Sequence, residues 1–163
     1  MDYAGSTLFI GTGATLATDL WILARRRLFG TPRADYGLVG RWFAHMGRGR
    51  FRHERIAAVP PVPGEQVIGW TAHYLIGIAF AAVLLASCGL AWARHPTLAP
   101  ALALGVATVA APFLLMQPGM GAGIAASRTP RPNAARVQSL VTHAVFGVGL
   151  YAAALVRNFL LGE

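Results

Sequence analysis

The chain has 163 residues, of which 55% are apolar and only 12% charged, and its mean hydropathy is +0.52. Since an ordinary soluble domain is roughly 25% charged, this composition excludes disorder, argues against a soluble globule and points to one bilayer-embedded domain spanning residues 1–163. All 14 basic residues are Arg against six acids, a net charge of +8. They crowd the gaps between apolar runs, so the expected partners are anionic lipid headgroups and not nucleic acid. Cys88 is the only cysteine, so no intrachain disulfide forms, and it is expected as a small buried hydrophobe.

In chain order, four apolar stretches are long enough to cross a hydrocarbon core about 30 Å thick, at 6–24, 67–91, 98–116 and 137–161. The connection at 25–66 carries nine Arg and that at 117–136 carries three, leaving only Arg94 and Arg157 elsewhere. By the positive-inside rule, both Arg-rich connections are cytoplasmic and both termini periplasmic. The start, Met-Asp-Tyr-Ala-Gly, has no basic segment and the first span is followed by Arg25-Arg26-Arg27, so an uncleaved anchor is expected. Trp92, Arg94 and His95 are expected as interfacial anchors on the outer side.

Within the first connection, Leu38, Val39, Trp42, Phe43 and Met46 form a helical stripe with Arg41, His45 and Arg48 on another face. Asp35 can cap this helix and Gly47 and Gly49 can end it, giving a short amphipathic helix in the membrane interface. Arg48, Arg50, Arg52 and Arg55 then form a cation cluster suited to lipid phosphates. Pro60-Pro61-Val62-Pro63 is a stiff extended lead into the second span.

Several strings, in order, carry a family resemblance: Gly-Ala-Thr-Leu-Ala-Thr-Asp19-Leu-Trp, Asp35-Tyr-Gly-Leu-Val-Gly-Arg-Trp, Gly-Arg-Phe-Arg-His53, Trp70-Thr-Ala-His73-Tyr, and Leu115-Met-Gln-Pro-Gly-Met-Gly-Ala-Gly followed by Ala-Ser-Arg-Thr-Pro. Over nearly its whole length the chain resembles the bacterial multispanning membrane protein family catalogued as domain of unknown function 2938. The resemblance implies a small polytopic protein of the bacterial inner membrane and carries no activity with it.

Ionisable residues inside a span are costly, and each is a functional-site hypothesis. Asp19 lies six residues before Arg25, His143 seven after Arg136 and His73 eight after Glu65, which puts them about 9, 10 and 12 Å inside the cytoplasmic ends of their spans. Pro112 and the sequence Gln117-Pro118-Gly119-Met120-Gly121 predict either a helix break lining a cavity or a helix end. Gly69 and Gly77 flank His73, and Gly147 follows His143, which allows either tight helix packing or room for a flat ligand.

Four readings of this polar layer compete. It could be a packing seam, or a zinc, iron or copper site built from Asp19, His73 and His143, with Met116 and Met120 as soft ligands for copper. It could bind haem b through His73 and His143, or act as a proton relay. Serine-hydrolase, zincin, Cys-x-x-Cys and phosphate-loop signatures are absent from the sequence, and His45, His53 and His95 are expected to be solvated or interfacial. The expectation is an all-α protein of four transmembrane helices plus one interfacial helix. It serves as a binding or transport component, alternatively as a structural or assembly subunit, as a homo-oligomer or within a larger membrane complex. Reporter fusions after residues 50 and 130 should read cytoplasmic and fusions after residues 95 and 163 periplasmic; a periplasmic signal at residue 50 would reverse the orientation.

Overall fold

A computed structural model describes residues 2–31 and 34–162; Arg33 of the first Arg-rich connection lies outside them. Helix α1, Tyr3–Phe29, begins where the Asp2 side chain accepts from the Gly5 N–H at 2.8 Å and ends at Gly30, left-handed at φ 62°. Arg26 and Arg27 sit in its last turn, where cations meet the negative end of the helix dipole. Helix α2, Tyr36–Met46, is capped by Asp35 through the Leu38 N–H. Helix α3, Glu65–Arg94, is interrupted at Gly89, whose φ of 75° suits glycine.

Helix α4, Leu98–Ala107, leads through a π-helical turn, Pro112–Met116, into α5, Gln117–Met120. Pro112 has no N–H to donate to the preceding turn, so the helix widens at that point and continues. It stops at Gly121, left-handed at φ 95°. The irregularity expected at 117–121 is therefore a helix end, and the true deformation lies one turn earlier. Helix α6, Pro132–Leu161, opens on a proline, whose missing donor costs nothing in a first turn. Four stretches, Tyr3–Phe29, Glu65–Arg94, Leu98–Met120 and Pro132–Leu161, are long and apolar enough to cross a membrane, and each contains one of the expected spans. Among the described residues there is no strand.

Contacts divide the chain into two compact units. The first comprises Met1–Arg33, Tyr74–Thr108 and Val141–Glu163. Its core joins Ile10, Ala14, Ala81, Leu84, Leu85, Leu150 and Ala154. Helices touch there through glycine: a Cβ built at Gly11 would sit 2.5 Å from the Ile78 Cα, and one at Gly105 would sit 2.5 Å from the Gly147 Cα. Gly77 accommodates the Thr15 hydroxyl, which donates to the Gly11 carbonyl of its own helix at 2.8 Å. Leu8, Leu16, Leu20, Val83 and Phe159 are exposed, as side chains facing lipid would be.

Three residues of this unit depart from expectation. Trp92 is buried and donates to the Thr97 carbonyl at 3.2 Å, because Pro96 turns the chain back beneath it, while Arg94 and His95 remain exposed. Cys88, just before the Gly89 interruption, is exposed. Arg157, counted from sequence outside both Arg-rich connections, is 2% exposed and donates to Ser6 Oγ at 3.2 Å and Asn158 Oδ1 at 2.6 Å.

The second unit comprises Ala34–His73 and Val109–Leu140. Here α2 and the start of α3 meet backbone to backbone, since a Cβ at Gly40 would strike the Glu65 carbonyl and one at Gly69 the Tyr36 carbonyl. The face of α2 that is buried therefore consists of Gly37, Gly40, Arg41 and Trp42. Arg41 was expected on the polar face; a carboxylate waiting at Glu65 draws it inside.

Gly105→Val should destabilise the protein by about 1–3 kcal/mol through overpacking against Gly147, whereas Leu16→Val on the exposed face of α1 should change little. Thermal unfolding in detergent would test this, and equal stability of the two variants would refute the backbone contact.

Candidate functional site

In the first unit, Asp19 is partly buried on α1 and its Oδ2 accepts from the Tyr74 hydroxyl at 3.0 Å. His143, on α6, is partly buried with Nδ1 2.8 Å from Thr108 Oγ1. The Thr108 hydroxyl has one hydrogen, and it goes to the Gly105 carbonyl at 2.6 Å. Nδ1 of His143 is therefore the donor in that pair, and in the neutral ring Nε2 keeps the lone pair.

In the second unit, His73 Nε2 lies 3.0 Å from the Tyr36 hydroxyl, with the two rings 4.4 Å apart and the Trp70 ring 4.3 Å from that of Tyr36. Helix α2 delivers Tyr36 because Asp35 starts the helix one residue earlier. Gln117 opens α5, and among the described residues its buried Oε1 has no hydrogen-bond partner. Met116 and Met120, at the ends of the π turn and of α5, are both partly buried.

Asp19 and His143 thus belong to one unit and His73, Gln117, Met116 and Met120 to the other. Among the described residues, no group of three or more His, Cys, Asp or Glu side chains could hold a metal ion. The glycines beside the histidines serve packing: Gly69 faces the Tyr36 carbonyl, Gly77 faces Thr15, and a Cβ at Gly147 would lie 2.8 Å from the Ala101 carbonyl.

Two further clusters in the second unit were not foreseen. Arg41 makes a two-pronged ion pair with Glu65, Nε to Oε2 and Nη2 to Oε1 both at 2.8 Å, and Nη1 donates to the Val59 carbonyl at 2.6 Å. Glu65 Oε2 also accepts from the Val62 N–H at 2.8 Å, so one carboxylate ties α2, the proline-rich lead and the start of α3 together. The hydrogen bond to Glu65 raises the Arg41 pKa above its ordinary value.

The second cluster is a histidine pair. His53, expected to be solvated or interfacial, is buried, with Nε2 2.8 Å from His45 Nδ1 and Nδ1 3.4 Å from the Gly119 carbonyl. A carbonyl only accepts, so His53 donates from Nδ1, and His45 then donates from its own Nδ1 to His53. Neither histidine was marked by its sequence spacing, since eight residues separate them. The Arg48, Arg50, Arg52 and Arg55 side chains around this pair are exposed.

Four apolar helices carrying hydrogen-bonded titratable groups define an all-α multispanning membrane protein. Residues 8–157 match the family described as protein of unknown function (DUF2938), and the chain belongs to that family. No curated protein and no solved structure matches it.

The His45 pKa is lowered, first by burial and then by the neighbouring His53, Arg50, Arg48 and Arg41. The unfolded chain then binds protons more readily than the folded one. The stabilisation is therefore present above the ordinary histidine pKa of about 6.5 and lost as pH falls through that value toward the lower folded one. Unfolding temperatures should drop between pH 7.5 and 5.5 in the wild type and drop less in His45→Gln. Identical drops would place the acid sensitivity elsewhere.

Proposed function

We propose that the protein is a multispanning component of the bacterial cytoplasmic membrane that binds or transports by passing a proton through side chains inside the bilayer, with Asp19 as the principal carrier. The Arg asymmetry supports an orientation with the connections at 25–66 and 117–136 in the cytoplasm and both termini in the periplasm. The observation that carries the functional reading is the hydrogen bond from Tyr74 to Asp19, together with that between Tyr36 and the adjacent His73. A packing seam needs only uncharged polar groups, such as the Thr15 and Thr18 hydroxyls that bond to their own helix. A carboxylate and an imidazole carry a larger desolvation cost, and what they add is the capacity to gain or lose a proton while keeping the hydroxyl partner.

A narrower reading concerns His143. Its Nδ1 is engaged by Thr108 and Nε2 carries the lone pair, the arrangement of a histidine that ligates a metal through one nitrogen and is oriented through the other. Zinc, iron or copper held there would need ligands beyond this imidazole, since among the described residues no three His, Cys, Asp or Glu side chains gather around a metal position. The competing class is a structural or assembly subunit in which the same hydrogen bonds only fix helix register.

Proteoliposomes with an entrapped pH indicator separate these classes. Under an imposed pH gradient, the wild type should dissipate the gradient and Asp19→Asn should fall to the rate of protein-free vesicles. The unfolding temperature of Asp19→Asn should be retained, because the amide oxygen still accepts from Tyr74. A wild type no faster than empty vesicles, with Asp19→Ala simply less stable, would establish the structural role instead.

A further inference from the structure

The second unit holds a half-open cavity of about 500 Å³ lined by Arg52, His53, Glu54, Ser127 and Arg128, with Pro118, Gly123 and Ile124 completing its wall. It combines one residue of the cation cluster at 48–55 with a second arginine and a hydroxyl from the other Arg-rich connection. Among the described residues, the Arg52, Arg128, Ser127 and Glu54 side chains make no hydrogen bond and no ion pair, although all four are exposed. Two guanidiniums and a hydroxyl facing one cavity without internal partners are donors in search of an acceptor.

Their positions are held from behind. On either side of Arg52, the Phe51 carbonyl accepts from the Trp42 indole at 2.9 Å and the His53 N–H donates to the Gly119 carbonyl at 2.9 Å. His53 turns inward to form the floor, so by strand-like alternation Arg52 and Glu54 turn outward. On the other side, Gly121 and Gly123 take left-handed φ values of 95° and 76°, and Ala125 and Ala126 follow at 47° and 59°, a conformation that L residues avoid. A Cβ at Gly123 would strike the Ser127 hydroxyl, so only glycine lets Ser127 and Arg128 close over the cavity. Strained backbone of this kind persists where the surroundings over-determine it.

We propose that this cavity is a binding site for a phosphate ester that also carries an amine, the chemistry of a phosphoethanolamine group. Arg52 and Arg128 take the phosphate oxygens through charge-assisted hydrogen bonds, with Ser127 Oγ as a third donor. Glu54, the one carboxylate in the lining, takes the ammonium and disfavours a bare dianion. Phe51 and Ile124, 57% and 61% exposed beside the cavity, suit the apolar boundary beneath a lipid headgroup. The same group on a soluble compound would satisfy the polar part of the site equally well.

Native mass spectrometry of the full chain in detergent, titrated with phosphatidylethanolamine, phosphatidylglycerol and phosphatidylcholine, tests the site. The wild type should prefer phosphatidylethanolamine. Arg52→Gln/Arg128→Gln should bind it about tenfold more weakly, whereas Arg48→Gln/Arg55→Gln, which removes the same charge outside the cavity, should bind it as the wild type does. Glu54→Gln should shift preference from phosphatidylethanolamine toward phosphatidylglycerol, a reversal that misfolding does not produce. Stabilisation of the wild type by soluble phosphoethanolamine, lost in the Arg52→Gln/Arg128→Gln variant, would assign the site to a free compound, and an effect of the lipid alone would assign it to a headgroup. Equal loss in both double variants would show diffuse attraction to the cation cluster and overturn the proposal, as would a wild type with no preference among the three lipids.

Discussion

In hydrocarbon a helix gains nothing by exchanging lipid for another apolar side chain, so close backbone contact becomes the principal source of packing. The first unit is built on that constraint, and the second repeats the close approach where α2 meets the start of α3. Gly11 meets Ile78 and Gly105 meets Gly147 in one, and Gly40 meets the start of α3 beside Gly69 in the other. Wherever backbones touch, bulky side chains are displaced to the exposed faces, where Leu8, Leu16, Leu20 and Phe159 suit lipid. The same contacts explain the glycines near the histidines, since Gly69 lies against Tyr36 and Gly147 against Ala101.

Polar side chains between such helices must find partners within a few ångströms. The buried threonines turn to their own helix, Thr15 to the Gly11 carbonyl and Thr18 to the Ala14 carbonyl. The titratable groups instead reach across to hydroxyls: Asp19 to Tyr74, His73 to Tyr36 and His143 to Thr108. A hydroxyl both donates and accepts, so it can follow a change in protonation that a backbone carbonyl could not. His53 shows the contrast, since the Gly119 carbonyl forces the proton onto its Nδ1 and thereby orders the His45 pair.

Arginine, the sole basic residue type, meets three environments. Arg41 is drawn inside by Glu65 and braces α2 against the start of α3, where its planar fork satisfies both carboxylate oxygens. Arg157 is buried and donates to Ser6 Oγ and Asn158 Oδ1, and Asn158 in turn donates to the Arg94 carbonyl at 2.8 Å. Arg52 and Arg128 stand open at a cavity. Local charge and geometry, not residue type, separate a brace from a binding group.

Hydropathy alone located the four crossing helices, because about 20 consecutive apolar residues have few alternatives to a membrane helix. It set most of their ends too short, since helical hydrogen bonding continues past the apolar window into flanking polar residues such as Arg25 to Arg27 of α1. The Asp35 cap and α2 were legible for the same local reason: capping and 3.6-residue periodicity act within one turn. Asp19, His73 and His143 were also legible as unusual residues, but their partners Tyr74, Tyr36 and Thr108 were not, because a hydroxyl inside an apolar helix has no pattern until another helix faces it. Composition likewise could not tell Arg41 from Arg48, seven residues apart on one helix and its flank; only the position of Glu65, 24 residues along the chain, buries one and leaves the other exposed. Sequence determined which segments lie in the membrane and which residues cost energy there, since both follow from transfer free energies along the chain, whereas tertiary structure decided which of those residues meet, since that depends on where glycine lets two backbones touch.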